Sequence, residues 1–195
     1  MWRVETPAAV LVVKDVRHSP RSTRWIARLL LQRERRILAR LAAVEGVPHL
    51  AGAIDRDAIA LTWVAGRTLD KWSFRQRPRE LIEQLRVLTE SLHAAGVFHL
   101  DLHQRNNLLV DERGRLSIVD FGAAIAPGPV TRALFGRYLR FTDLHAAHKF
   151  LARFTPEELT EEEARAVLHH GLLRRLWPFS LKRARERRAA SRRLG

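Results

Sequence analysis

Apolar residues come first in short runs and later at helical spacing. Residues 10–16, VLVVKDV, are β-branched and apolar with one lysine near the end, which predicts a strand. HSPRS breaks the run, and Ser22 or Thr23 can cap a helix extending to about residue 44. In it Trp25, Ile26, Leu29, Leu30, Ile37, Leu38 and Leu41 recur at helical spacing, and Gly46 and Pro48 stop it. Residues 58–64, AIALTWV, predict a second strand, and a short helix is expected near Thr68. Residues 79–95 predict an amphipathic helix with Leu81, Leu85, Leu88 and Leu92 on one side and Gly96 at its end. Two short strands follow, 107–110 and 116–119, around a hairpin turn at Asp111-Glu112-Arg113-Gly114. APGPV then reads as a loop, and 135–154 and 160–173 as helices, the second with an acidic first turn. This order predicts a small sheet-rich N-lobe and a helical C-lobe with the hairpin at the cleft.

Composition narrows the setting. The chain has 195 residues, enough for one compact domain or two small lobes around a cleft. No apolar run is long enough to span a bilayer, and the start lacks the pattern of a signal peptide. There is no cysteine, which excludes disulfides and thiolate metal sites and fits a cytoplasmic setting. The net charge of +14 favours polyanions, though arginine-rich composition by itself would also produce it. Only Lys14, Lys71, Lys149 and Lys182 are lysines, so each stands out.

Chemistry concentrates in HLDLHQRNNLLVDERGRLSIVDFG, residues 99–122. Asp101 leaves an apolar segment and can serve as a general base. Asn106 follows five residues on, and Asp120 ends an apolar strand before Phe-Gly. Carboxylate and amide oxygens suit Mg²⁺, which bridges phosphates, so the set fits phosphoryl transfer. Lys14 can hold phosphates, and Glu34 is the one interior acid of the first helix that can position it. As turn formers, Asp101, Asn106 and Asp120 could instead be purely structural, but their combination argues against that.

VLVVK, Glu34, HLDLHQRN and VDFG resemble the lysine, helix glutamate, catalytic loop and DFG motifs of the protein-kinase-like superfamily, in the same order. The resemblance implies an α+β, two-lobed kinase-like fold using ATP and Mg²⁺. It implies Asp101 as catalytic base, Asn106 and Asp120 as metal ligands, Lys14 as phosphate lysine and Glu34 as its partner. ALTWVAG resembles the inter-lobe hinge, so the backbone of Thr62 and Val64 would meet adenine. Asp143 resembles the helix aspartate that braces the catalytic loop.

Departures from the pattern shape the expected function. Leu100 replaces the arginine of the catalytic-loop motif, so no phosphorylated-loop switch is expected. His103 stands where protein kinases carry a lysine that touches the transferred phosphate, and it is a candidate for that contact. The absence of an APE motif implies that the peptide platform is missing. In size the chain resembles compact bacterial lipopolysaccharide kinases of the Kdo type and RIO-like atypical kinases. No glycine-rich loop precedes Lys14, which implies an N-lobe shortened at its start.

The expected organisation is a minimal kinase-like domain over 1–171, with an N-lobe over about 1–64 and a C-lobe over about 65–171, and a basic amphipathic tail over 172–195. The expected acceptor is a hydroxyl, either a lipopolysaccharide-precursor sugar or a protein serine or threonine. A pseudokinase acting through its basic surface is the rival class. The tail offers contact with an anionic membrane, which would make the protein peripheral at the inner membrane. Nucleic acid is disfavoured because the aromatics do not interleave with the basic residues along a stacking surface. His169-His170 reads as a helix end rather than a metal site.

Overall fold

A computed structural model of the chain describes residues 1–173 and 191–192. Four antiparallel strands form the first sheet: β1 (Trp2–Glu5), β2 (Val10–Asp15), β3 (Leu50–Ala53) and β4 (Ala58–Thr62), in the order β1-β2-β4-β3. Helix α1 (Arg24–Arg40) lies between β2 and β3 in the chain. The second sheet joins β5 (Arg67–Thr68), β6 (Leu108–Val110) and β7 (Leu116–Ile118). Around it sit α2 (Lys71–Gln76), α3 (Pro78–Ala94), α4 (Pro129–Phe154) and α5 (Glu161–Leu173). This is the expected α+β arrangement of a small sheet-rich part followed by helices and a hairpin.

One continuous apolar cluster joins the two parts. Leu31, Ile37 and Leu38 of α1 share it with Leu85 and Leu92 of α3, Ile118 of β7 and Phe150 of α4. Ile118 N–H donates to the Gly46 carbonyl at 2.8 Å, and Leu69 N–H donates to Leu108 at 2.9 Å, so backbone also ties the segments together. Gln84 of α3 secures the hairpin from both sides. Its Nε2 donates to Gly114 at 3.0 Å, and its Oε1 accepts from Leu116 N–H at 2.7 Å.

Element boundaries depart from the sequence reading for local reasons. α1 starts at Arg24 without a side-chain cap from Thr23, and it ends at Arg40 rather than near 44 because tighter bonds to Leu38 and Leu41 close its last turn. The segment at Thr68 is strand, paired to Leu109, and the short helix begins at Lys71 behind an Asp70–Ser73 capping box. β3, with sequence LAGA, has no strand-forming side chains and forms because β4 supplies its partner. α4 begins at Pro129, inside the expected loop, since proline suits the first helical position. The expected tail, 172–195, lies outside the described residues except for the end of α5 and Ser191–Arg192.

Gly46 holds a tight position: φ is +76°, and an added Cβ would come within 2.8 Å of Leu88. Gly46→Ala is expected to cost about 1 kcal/mol or more, read as a lower urea midpoint with an unchanged denaturant slope.

Candidate functional site

Asp143 organises the loop that carries Asp101. The carboxylate is buried on α4 and accepts from His99 N–H at 2.8 Å through Oδ2 and from Leu100 N–H at 2.7 Å through Oδ1. Oδ2 also accepts from His93 Nε2 of α3 at 3.0 Å. Leu100 has φ of +64°, a conformation costly for a residue with a Cβ, and the two amide bonds compensate that strain. Asp101 therefore leaves the core at a fixed angle.

Around Asp101 the donors are dense. Oδ2 accepts from Gln104 Nε2 at 2.5 Å and from Asn107 Nδ2 at 3.1 Å, and His103 Nε2 lies 3.4 Å from Oδ1. Asn107 also donates to the Asp101 carbonyl at 3.0 Å. The 3₁₀ turn Arg105–Asn107 points Asn107 inward and leaves Asn106 exposed. The asparagine against Asp101 is thus one residue further along than the motif spacing implies.

The cation sits on the opposite side. Lys14 Nζ of β2 donates to Glu34 Oε1 of α1 at 2.5 Å and to Asp120 Oδ1 at 3.0 Å. Both Lys14 and Glu34 side chains are largely buried, and Asp120 is half-exposed. Burial alone would lower the Lys14 pKa, but the attraction of Glu34 and then Asp120 outweighs it and leaves it raised. Burial would raise that of Asp120, yet Lys14 holds it below the usual carboxylate range. Asp120 has φ of +63°, a left-handed conformation that aspartate tolerates better than most residues.

Two links join these groups. Val119 N–H donates to the Asn107 carbonyl at 2.8 Å, and His99 Nε2 meets the Val119 carbonyl at 3.2 Å. His99 is buried beside the segment that leads from β7 to Asp120 and packs edge-on against Phe121 at 4.9 Å. Burial pushes its imidazole below the ordinary histidine range, against the pull of Asp143. From α1, Arg33 donates to the Gly122 carbonyl, so the helix that presents Glu34 also holds the Asp-Phe-Gly turn.

The expected hinge divides. Thr62 N–H is committed to the His49 carbonyl at 2.9 Å, so of the Thr62 backbone only the carbonyl could meet a base. The backbone N–H and carbonyl of Val64 make no hydrogen bond among the described residues and remain open to an adenine edge. A cavity of about 350 Å³ opens on the α1 side of Lys14, lined by Glu34 and Gly122 as well, and touches none of Val64, Asp101 and Asp120. A larger groove of about 870 Å³ lies under the β5–α2 connection and touches none of Lys14, Asp101 and Asp120.

The chemistry of the donor set fits a hard cation held jointly with phosphate. Lys14 and Gly122 N–H both bond Asp120 through Oδ1, leaving Oδ2 able to ligate. Asn107 engages Asp101 through Nδ2, leaving its carbonyl oxygen for the same purpose. No group of three or more His, Asp or Glu among the described residues could hold a metal unaided. His169-His170 lie in α5, and their side chains are outside the described residues.

Sequence reasoning also passed over Lys149. It is buried on α4, and its Nζ donates to the His103 carbonyl at 3.1 Å, bracing the Asp101 loop. Its rarity among the arginines was the only signal of it.

A family model described as ABC1 atypical kinase-like domain matches residues 43–142, just over half of the chain. The chain is 32% identical over 113 residues to the probable serine/threonine-protein kinase pknA2 of Bifidobacterium longum, covering 52% of this chain and 15% of that protein. It is 31% identical over 86 residues to CBL-interacting serine/threonine-protein kinase 21 of Arabidopsis thaliana, covering 42% and 20%. It is 49% identical over 49 residues to CBL-interacting protein kinase 12 of Oryza sativa, covering 25% and 9%. The chain spans no more than a fifth of the length of these relatives.

Two outcomes follow from this geometry. Below about pH 6.5 the unfolded chain binds a proton that buried His99 resists, so its contribution is complete above that pH and declines as pH falls toward the depressed native value. The slope is at most about 1.4 kcal/mol per pH unit, and His99→Gln should reduce the loss of thermal midpoint between pH 7.5 and 5.5. Asn107→Ala should cost about 1 kcal/mol in stability and weaken Mg²⁺-dependent nucleotide binding, while Asn106→Ala should change both little, by thermal shift with and without Mg²⁺.

Proposed function

The chain belongs to the ABC1 atypical kinase-like family, and we propose that it is a phosphotransferase moving the γ-phosphate of ATP to an alcohol. The observation that carries this reading is the convergence of Lys14, Glu34 and Asp120, from a strand, a helix and a hairpin end, on one ammonium group. Such a buried pair is costly to assemble and costly to break, about 3–5 kcal/mol when one partner is removed. Simple structural needs would be met by apolar residues.

Each residue then has a defined task. Asp101 orients the acceptor hydroxyl and takes its proton, with Asn107 and Gln104 fixing the carboxylate and His103 supplying a donor beside it. Lys14 donates to phosphate oxygens, and Glu34 keeps it directed into the cleft. Asp120 and Asn107 hold Mg²⁺, the asparagine role resting on contact with Asp101 rather than on the spacing that pointed to Asn106. Mg²⁺ held there would supply positive charge against the phosphates. Val64 receives the adenine edge.

A small or sugar acceptor fits the fold better than a peptide. Only six residues separate Gly122 from α4, and Ile125 within them is fixed by a two-way backbone bridge to Phe98. So short a connection has no room for a peptide-holding platform. A sugar hydroxyl of a lipopolysaccharide precursor, phosphorylated on the cytoplasmic side where ATP is supplied, is the acceptor we favour. The relatives named as serine/threonine-protein kinases support a protein acceptor as the alternative.

A second reading, nucleotide binding without transfer, is favoured by one observation. The β1–β2 turn closes through Thr6 and Ala9 and contains no glycine, so its backbone offers no run of N–H groups to cover the phosphates.

Mg-ATP should raise the thermal midpoint, and ATP consumption should be measurable. Asp101→Ala should lower turnover by about 10²–10⁴-fold while sparing the nucleotide-induced shift, and Asp120→Ala should remove most of the Mg²⁺-dependent part of that shift. Stabilisation of the parent without turnover on sugar or protein acceptors would establish the binding-only reading. Unchanged turnover in both variants would overturn the role assignments.

A further inference from the structure

α4 is built of two unlike halves. From Asp143 onward it is core, with Ala146, Phe150 and Leu151 buried. Its first turns present large apolar side chains to solvent: Val130 is 73% exposed, Leu134 71%, Phe135 55% and Tyr138 56%. Val130, Leu134 and Tyr138 follow one another at a spacing of four, with Phe135 beside them, so they share one side of the helix. Arg132 and Arg140 fall on the remaining arc, and Arg137, seven residues from Val130 and three from Leu134, borders the apolar row. Arg132 donates to the His93 carbonyl at the end of α3 at 3.4 Å, which fixes the rotation of the helix and keeps its apolar side away from α3.

Charge selects the occupant. No Asp or Glu occurs from Phe121 to Thr142, and the chain as a whole carries +14. A second copy would bring arginines against arginines. An acidic protein would pair with the arginines but offers no inherent match for the apolar row. An anionic bilayer surface meets both, with headgroups for the arginines, the acyl boundary for Val130, Leu134 and Phe135, and the interface for Tyr138. No described helix is long and apolar enough to cross a membrane, so α4 would lie on the surface.

We propose that the N-terminal half of α4 is a peripheral docking surface for anionic phospholipid membranes. It is separate from the Lys14–Asp101 site and does not rest on phosphoryl transfer. The same helix carries Asp143 and Lys149, which brace the Asp101 loop. Docking therefore sets the Asp101 loop at a fixed height above the lipid.

The chain has no cysteine, so Leu134→Cys in the full chain accepts a single environment-sensitive fluorophore. Val87→Cys on the exposed side of α3 serves as control. With phosphatidylglycerol–phosphatidylcholine vesicles, the probe at 134 should shift to the blue and be quenched by acyl-chain spin labels, while the probe at 87 stays unchanged. Leu134→Glu with Phe135→Glu should lower vesicle partitioning by about tenfold or more. Vesicle binding that leaves the probe at 134 in water would assign docking to another surface and overturn the proposal. So would an absence of vesicle binding, or a probe already in an apolar setting without lipid, which would mean that a protein surface covers the face.

Discussion

The structure depends on one buried carboxylate. Asp143 is shielded from water and accepts three hydrogen bonds, from the backbone of His99 and Leu100 and from the ring of His93. A buried carboxylate without those donors would be strongly destabilising, and a left-handed Leu100 without the carboxylate would relax. Each makes the other tolerable, and together they fix where Asp101 emerges. The position of the proposed base is therefore decided by a helix more than forty residues downstream.

From that point, order spreads outward through backbone as well as side chains. Asn107 joins the Asp101 loop to Val119, and His99 meets the carbonyl of the same residue. Asp120 follows at once and is drawn to Lys14, which is held in turn by Glu34. Arg33, one residue before Glu34, secures Gly122. A rotation of α1 would disturb the lysine, the glutamate and the turn after Asp120 together. Arg28 limits such rotation by pairing with Asp57 in the β3–β4 turn, at 2.5 and 3.0 Å.

α4 links this centre to the surface. One end braces the Asp101 loop through Asp143 and Lys149, and the other projects apolar residues into solvent. A stiff helix with so divided a burial pattern couples the orientation of the cleft to whatever covers its exposed end. The short connection from Gly122 to Pro129 strengthens that coupling, because little slack chain separates the Asp-Phe-Gly turn from the helix.

Local chemistry was legible where residues carry their own signal. VLVVK declared a strand, the leucine spacing of α3 a helix and Asp111–Gly114 a turn, since periodicity and turn preference act over a few residues. The acids at 101 and 120 and the lysine at 14 stood out by type and order, and the pairing of Lys14 with Glu34 followed from the scarcity of interior acids on the first helix. Distant partners decided the rest. β3 exists because β4 pairs with it, and α4 starts early because proline suits its first position. Asn107 rather than Asn106 joins Gln104 in donating to Asp101 because the 3₁₀ turn over Arg105–Asn107 buries the second asparagine and exposes the first, which spacing along the chain does not encode. The sequence by itself determined which groups were present and where chain direction could change. Only the tertiary structure decided which atoms face each other, because burial, strain and hydrogen bonding are settled between segments far apart in the chain.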